Sequence, residues 1–292
     1  MENETLEQFC KRVYDESFVA CSGMFRAQHS GARKSEVERY AQLEAIKNCE
    51  ILAMENFPTM EPAAIWKVIS ACHVLNKSGI PNFETLRKAK SASQSWIKSS
   101  GHAFEAMIKQ LGTLALSGDG ISVVLQRDLS AMVATNTLAN AKQDYDWLKI
   151  QLEGGIFDLY ALVDTPTGKK CFGCIQCKTS IRDRVSRDRE PSVHAMNANF
   201  WSTAFVLDGA FFTKKKSSKF VAMVNGGSAE FPTNGWHGCY VFSDKYQQDR
   251  IYATDMTMKN FKDHAKVAAK KWLEERSWLR QDWRADEEQT VA

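Results

Sequence analysis

The chain has 292 residues, 44% of them hydrophobic and 25% charged, with a formal net charge of +3. That length suits one large domain or a core domain with a smaller companion, and the charged fraction is that of a folded globular chain rather than a disordered one. A charge so near zero excludes a strongly basic, nonspecific coat for nucleic acid, and the lack of any run of about 18 apolar residues speaks against a membrane span. The acidic start Met1-Glu2-Asn3-Glu4 has no apolar stretch of the secretory kind, and eight cysteines over this length do not amount to a disulfide framework. A reducing cytoplasm is the expected compartment.

Residues 1–98 read as an N-terminal helical domain. Leu6, Phe9, Val13 and Phe18 recur at helical spacing, and so do Val37, Ala41, Leu43 and Ile46. Pro58 and Pro62 interrupt the pattern, residues 63–75 resume it, and Ser78-Gly79-Ile80-Pro81 ends it. Residues 83–92 and 93–99 follow as two short helices. A second domain, 99–292, opens with Phe104, Met107, Ile108 and Leu111, an i, i+3, i+4, i+7 stripe with Glu105 beside it. Residues 121–125 form a β-branched run suited to a strand, and 131–148 read as helical. Residues 155–163 and 171–178, joined across Asp164-Thr165-Pro166-Thr167-Gly168, give a hairpin. Residues 192–207 read as a helix with Met196, Phe200, Ala204 and Leu207 on one face. Strands at 220–224 and 239–242 and a long helix over 261–279 complete the series. The order predicts an α/β or α+β fold with a central mixed sheet flanked by helices.

The hairpin carries the chemistry. Phosphodiester hydrolysis with a divalent metal needs carboxylates to hold the ion, and a nearby lysine to orient water or offset the charge of the pentavalent state. Asp158 stands on the first strand and Lys178 ends the second; Gln176 and Lys178 share a face because strand residues i and i+2 do. Four residues after the lysine comes Arg182-Asp183-Arg184. Arginines donate in pairs to guanine O6 and N7, and an acid accepts from cytosine N4, so this triplet can read base edges. Arg187 and Arg189 suit phosphates, which position a protein without carrying sequence information. Lys214, Lys215, Lys216 and Lys219 form a second basic patch.

An acid on one strand and a lysine at the end of the next resemble the PD-(D/E)XK nuclease core, except that the position two before the lysine, ordinarily Asp or Glu, is Gln176. The branch that cuts CCGG-type sites moves this second acid downstream, some twelve to fourteen residues past the lysine, and carries an Arg-Asp/Glu-Arg element at the offset of Arg182 to Arg184. Stretches 96–105, 172–176, 178–185, 223–227 and 234–238 are similar to segments of BsaWI-like type II restriction endonucleases, and the likeness extends over most of the chain. It implies a magnesium-dependent endonuclease acting on double-stranded DNA at a palindrome with a CCGG core. Asp158, Glu190 and, on the first catalytic-domain helix, Glu105 would hold Mg2+, with Lys178 at the attacking water. Gln176 stays open as an alternative oxygen ligand. It also implies a homodimer, or a tetramer of paired dimers, in a prokaryotic cytoplasm.

Other readings of the same residues are a repair or recombination nuclease with this fold, and a catalytically inactive sequence-specific DNA-binding protein, which the missing acid at 176 would suit. Cys171, Cys174 and Cys177 space like a metal string, but strand alternation is expected to turn Cys171 and Cys174 to opposite faces, which favours buried free thiols. His102 and His237 read as structural histidines, with a DNA-facing loop of His237, Asn225 and Asn234 as the alternative.

Overall fold

In the computed structural model, which describes residues 4–179, 185–207, 218–243 and 248–288, the chain divides into two units, Met1–Trp96 and Ile97–Ala292. The division falls beside the 98/99 boundary read from the sequence.

The first unit packs α1 (Leu6–Gln28), α2 (Lys34–Asn56) and α3 (Pro62–Ser78) with the start of α4 (Phe83–Leu116). Thr5 and Gln8 form a reciprocal capping box that satisfies free N–H groups at the start of α1. On α2 the buried stripe is Val37, Ala41, Ala45, Cys49 and Ala53. These small residues four apart let α1 approach closely along their ridge. Leu43, expected in the core, is 52% exposed. Apolar bulk scattered around α2 hid the true stripe, because periodicity counts hydrophobic residues and not the small ones on which helices cross.

The second unit is built on one mixed sheet: β1 (Ile121–Leu125), β2 (Leu159–Thr165), β3 (Gly168–Lys178), β4 (Trp201–Val206), β5 (Gly238–Phe242) and β6 (Ile251–Thr254), side by side in chain order. The first three strands are antiparallel and β3 to β6 run parallel. One face buries Phe104 and Ile108 of α4 and Phe261, Ala265 and Trp272 of α9 (Lys259–Glu275) against Phe172, Ile175, Trp201 and Phe205. The other is covered by α5 (Gln126–Ala134), α6 (Lys142–Gly154), α7 (Val185–Asn197) and α8 (Ser218–Asn225). A last short helix, α10 (Ala285–Glu288), follows α9. Among the described residues no helix is long and apolar enough to cross a membrane.

Several elements differ from their sequence reading. The two short helices before residue 99 and the stripe after it are one 34-residue helix, α4. No proline interrupts it, and a glycine such as Gly101 weakens a helix interior by only about 1 kcal/mol. The 131–148 region is two helices, parted where Asn136 takes a left-handed conformation (φ 53°). The helix expected over 192–207 is instead the end of α7 and the whole of β4. Asn199 at φ 58° turns the chain between them, and every residue of β4 is buried, so it shows no alternation by which to know it as a strand. Residues 220–224 lie in α8, where Phe220, Met223 and Val224 bury one helical face. A five-residue apolar run fits either period. Strand β6 is four residues long and left no legible pattern.

The hairpin itself contains a bulge. Leu162 pairs with Cys171 and Ala161 with Gly173, so Phe172 is an extra residue on β3. The extra residue reverses the alternation: Cys171 and Cys174 pack into the same core cluster, not onto opposite faces. Burial, more than any neighbouring charge, drives both thiols well above their ordinary range.

Candidate active site

Asp158 lies immediately before β2, held by backbone on both sides. Its N–H donates to Ile175 O (3.1 Å) and its carbonyl accepts from the N–H of Gln126 (3.1 Å). One carboxylate oxygen, Oδ2, accepts from the N–H of Cys177 (2.6 Å). Burial pushes this carboxyl above the usual range; the Cys177 N–H and the Lys178 ammonium pull it back, and the negative charges of Glu105 and Asp188 raise it further. Lys178 ends β3, its own carbonyl bonded to the N–H of Leu207 (2.9 Å), which fixes the strand end from which the side chain projects.

The partner of Lys178 is Asp188 on α7, with Nζ 3.2 Å from Oδ1 and both side chains half-buried. Glu190, the acid expected from the spacing, is exposed, and its charge is not among those acting on Asp158. The reason is helical geometry: two residues along a helix are about 200° apart, so the turn that points Asp188 at the lysine points Glu190 away. Ser192, one turn on from Asp188, shares its face and is buried with its hydroxyl 2.7 Å from that of Ser202 on β4. Nothing in the sequence singled out Asp188. The available signal was that α7 begins before the arginine-rich run ends and continues through Pro191, which would have set 188 and 192 on the sheet-facing side.

Glu105 projects from α4 with only 20% of its side chain exposed, and His102 Nδ1 lies 3.3 Å from its Oε2. Glu105, His102, Ala106, Leu125, Gln126, Arg127 and Asp158 line a cleft of about 480 Å3. Glu105, Asp158, Lys178 and Asp188 are thus brought to one region by α4, the start of β2, the end of β3 and α7. Among the described residues, no three His, Cys, Asp or Glu side chains stand close enough to enclose a metal ion between them. The donors offered are hard carboxylate oxygens around an open cleft. Magnesium is commonly held by one or two carboxylates together with water and substrate phosphate oxygens, so the donor set fits it without a closed cage.

Gln176 is buried at 1% exposure and both ends of its amide are engaged. Its Oε1 accepts from Trp236 Nε1 (2.8 Å), and its Nε2 donates to the main-chain carbonyl of Asp188 (3.0 Å). Arg189 also turns inward, donating to Thr233 O (2.6 Å) and stacking on Phe231 (5.4 Å to the ring centre). Arg187 is exposed on α7. Arg182, Asp183 and Arg184 lie outside the described residues. His237 is fully buried, with Nδ1 accepting from the Ser202 N–H (3.0 Å) and Nε2 donating to Arg280 O (3.0 Å); burial pushes its pKa down to about 3. Asn234, 6% exposed, donates to Trp236 O and Gln281 O. Neither His237 nor Asn234 faces outward as a DNA-contacting loop would require; both pin the C-terminal segment to the sheet.

Residues 137–278 match the family model of the BsaWI type 2 restriction endonuclease. A solved structure, the pre-specific BsaWI–DNA complex, superposes with a TM-score of 0.81 at 44% sequence identity, covering 96% of this chain and 98% of that one. The chain belongs to the BsaWI restriction endonuclease family. A specific AgeI–DNA complex is also similar, at 17% identity and a TM-score of 0.45, over 92% of this chain and 94% of that one. No curated protein matches. As a BsaWI-family member the chain is a type II, site-specific DNA endonuclease with the mixed-sheet nuclease fold expected from its hairpin.

Proposed function

We propose that this BsaWI-family chain makes magnesium-dependent double-strand cuts in DNA at a short palindrome with a CCGG core. The observation that carries the reading is the meeting of Asp158, Lys178 and Asp188 where the hairpin and α7 come together, with Glu105 across the cleft. The relative whose fold is shared was solved on DNA, which supports duplex DNA as the substrate.

Asp158 and Asp188 would hold Mg2+, with Glu105 supporting them; Asp188 takes the part that the sequence spacing had given to Glu190. When bound, the ion supplies polarisation of the scissile phosphate and a more acidic water. The ammonium of Lys178 orients the attacking water and offsets negative charge on the pentavalent phosphorus. Water oxygen bonds to phosphorus and gives up a proton to solvent, the bond from phosphorus to the 3′-oxygen breaks, and the 3′-oxygen takes up a proton from solvent, leaving a 3′-hydroxyl and a 5′-phosphate end. Arg182, Asp183 and Arg184, beyond the end of β3 in sequence, would read the G·C pairs, and Arg187 would contact phosphate. A palindrome is matched by a two-fold homodimer, each copy reading one half-site.

Digestion of a sequenced plasmid with magnesium, followed by run-off sequencing of the ends, tests this. Discrete fragments ending within CCGG-containing sites are expected. A smear or structure-dependent nicks would indicate a repair-type nuclease, and tight binding to a CCGG duplex without cleavage would indicate an inactive DNA-binding protein.

A further inference from the structure

The geometry points to Gln176 and Trp236 as a brace that positions the Asp188 carboxylate for the metal, so that the residue in the place of the missing strand acid acts through α7 and not as a ligand. This rests on the reading of Asp188 as a metal-holding acid.

The bonding pattern allows one orientation of the amide. An indole N–H only donates and a main-chain carbonyl only accepts. Gln176 must therefore turn its oxygen to Trp236 and its NH2 to Asp188 O, as the 2.8 and 3.0 Å contacts have it. A glutamate at 176 could accept from the indole, but its second oxygen would face the Asp188 carbonyl with no proton between them. Glutamine satisfies both neighbours in a site that is 1% exposed, where an unmatched polar atom would be costly. The departure from the acid at this position thus has a physical reason.

Trp236 is itself immobilised. It is 1% exposed, its carbonyl accepts from Asn234 Nδ2 (2.9 Å), and the N–H of Gly235 bonds to Val224 O (3.0 Å). Two further contacts bind α7 to the same surroundings: Arg189 to Thr233 and Ser192 to Ser202. Residues 188, 189 and 192 are therefore each fixed to the sheet or to the loop before β5. The first of these anchors is at the residue whose side chain meets Lys178. Partners of this kind commonly change metal affinity by about 10- to 100-fold when removed.

The test uses Trp236→Phe, which keeps a ring but loses the donor, and Gln176→Met, which loses both bonds. The readout is the calcium-dependent gain in affinity for a CCGG duplex, followed by fluorescence anisotropy, with calcium as a probe in place of magnesium. Each variant is expected to need about tenfold more calcium for the half-maximal gain, with duplex binding in the absence of metal unchanged. Lost packing alone would lower Tm and leave the calcium midpoint of the folded protein where it was. If Gln176→Met fails to fold, Trp236→Phe decides the matter. Asp188→Asn is the control and is expected to remove the gain. Should Asp188→Asn remove it while Trp236→Phe keeps the wild-type midpoint, the brace is overturned and the metal reading stands. Should Asp188→Asn keep the gain, both fall. Tighter calcium response in Gln176→Glu would show position 176 to be a ligand position and would also overturn the brace.

Discussion

The two acids of α7 can be separated by paired conservative variants, Asp188→Asn and Glu190→Gln. Asp188 stands 3.2 Å from Lys178, and the two side chains are 27% and 29% exposed. In a half-buried pair the cost of desolvation offsets much of the attraction, leaving about 0–1 kcal/mol for folding, so Asp188→Asn should lower Tm by no more than about 4 °C. Its effect on cleavage should be far larger. A carboxylate that helps hold the ion supports several kcal/mol of transition-state stabilisation, and each 1.4 kcal/mol is a factor of ten, so a loss of about three orders of magnitude is expected. Asparagine also removes one of the two negative charges that raise the Asp158 pKa, which should drift down towards the ordinary range. Glu190 is exposed, and Glu190→Gln should cut within about threefold of wild type, a change of under 1 kcal/mol. Single-turnover cleavage of a plasmid at saturating protein, beside thermal melts, measures both effects. A thousandfold loss in Glu190→Gln with near-normal cutting by Asp188→Asn would refute the geometric argument and return the second acid to the position expected from spacing.

Gly226 sits at φ +77°, where a built Cβ would lie 2.5 Å from the carbonyl carbon of Thr233. Gly226→Ala should therefore destabilise by about 3 kcal/mol and lower Tm by roughly 10 °C, while an unchanged melt would mean that the loop yields freely. Folding should also weaken in mild acid. His237 and His264 are held neutral by burial, with pKa values of about 3 and about 4. An unfolded histidine takes up its proton near pH 6.5. Their contribution is complete above that pH and declines below it, by roughly 1.4 kcal/mol per pH unit for each, down to the folded values. Urea titrations should show about 3 kcal/mol lost between pH 6.5 and 5, since each unfolded histidine is only half protonated at the start; a flat profile would contradict the buried, neutral assignment. Arg184→Ala should cost about 1–3 kcal/mol of discrimination at one base pair, read from cleavage of duplexes altered singly in the core, and a uniform loss on all sequences would mark Arg184 as a phosphate contact.

Much of the site was legible in order of residues. Aspartate is rare in strands, so Asp158 beside a β-rich run, followed by a turn and a strand ending in Lys178, announced the hairpin and suggested the chemistry proposed for it. Strand pairing is local here, and local pairing follows from turn residues and alternation. The resemblance carried by the 178–185 stretch and the Asn234 to Gly238 loop pointed to the BsaWI-family fold. Less legible were the junction of α7 and β4, which depends on a left-handed Asn199, and β4 itself, whose burial on both faces erases periodicity.

From the sequence alone came the expectation of two units, the hairpin, and the candidate lysine and acid on it, because these rest on residue types and short spacings along one chain. The tertiary structure decided which face of α7 meets the hairpin, and hence that Asp188 and not Glu190 lies against Lys178. It also decided that Gln176 spends both ends of its amide on Trp236 and Asp188, and that Arg189 and His237 turn inward. Those outcomes depend on partners up to 60 residues away in the chain, which no local pattern encodes.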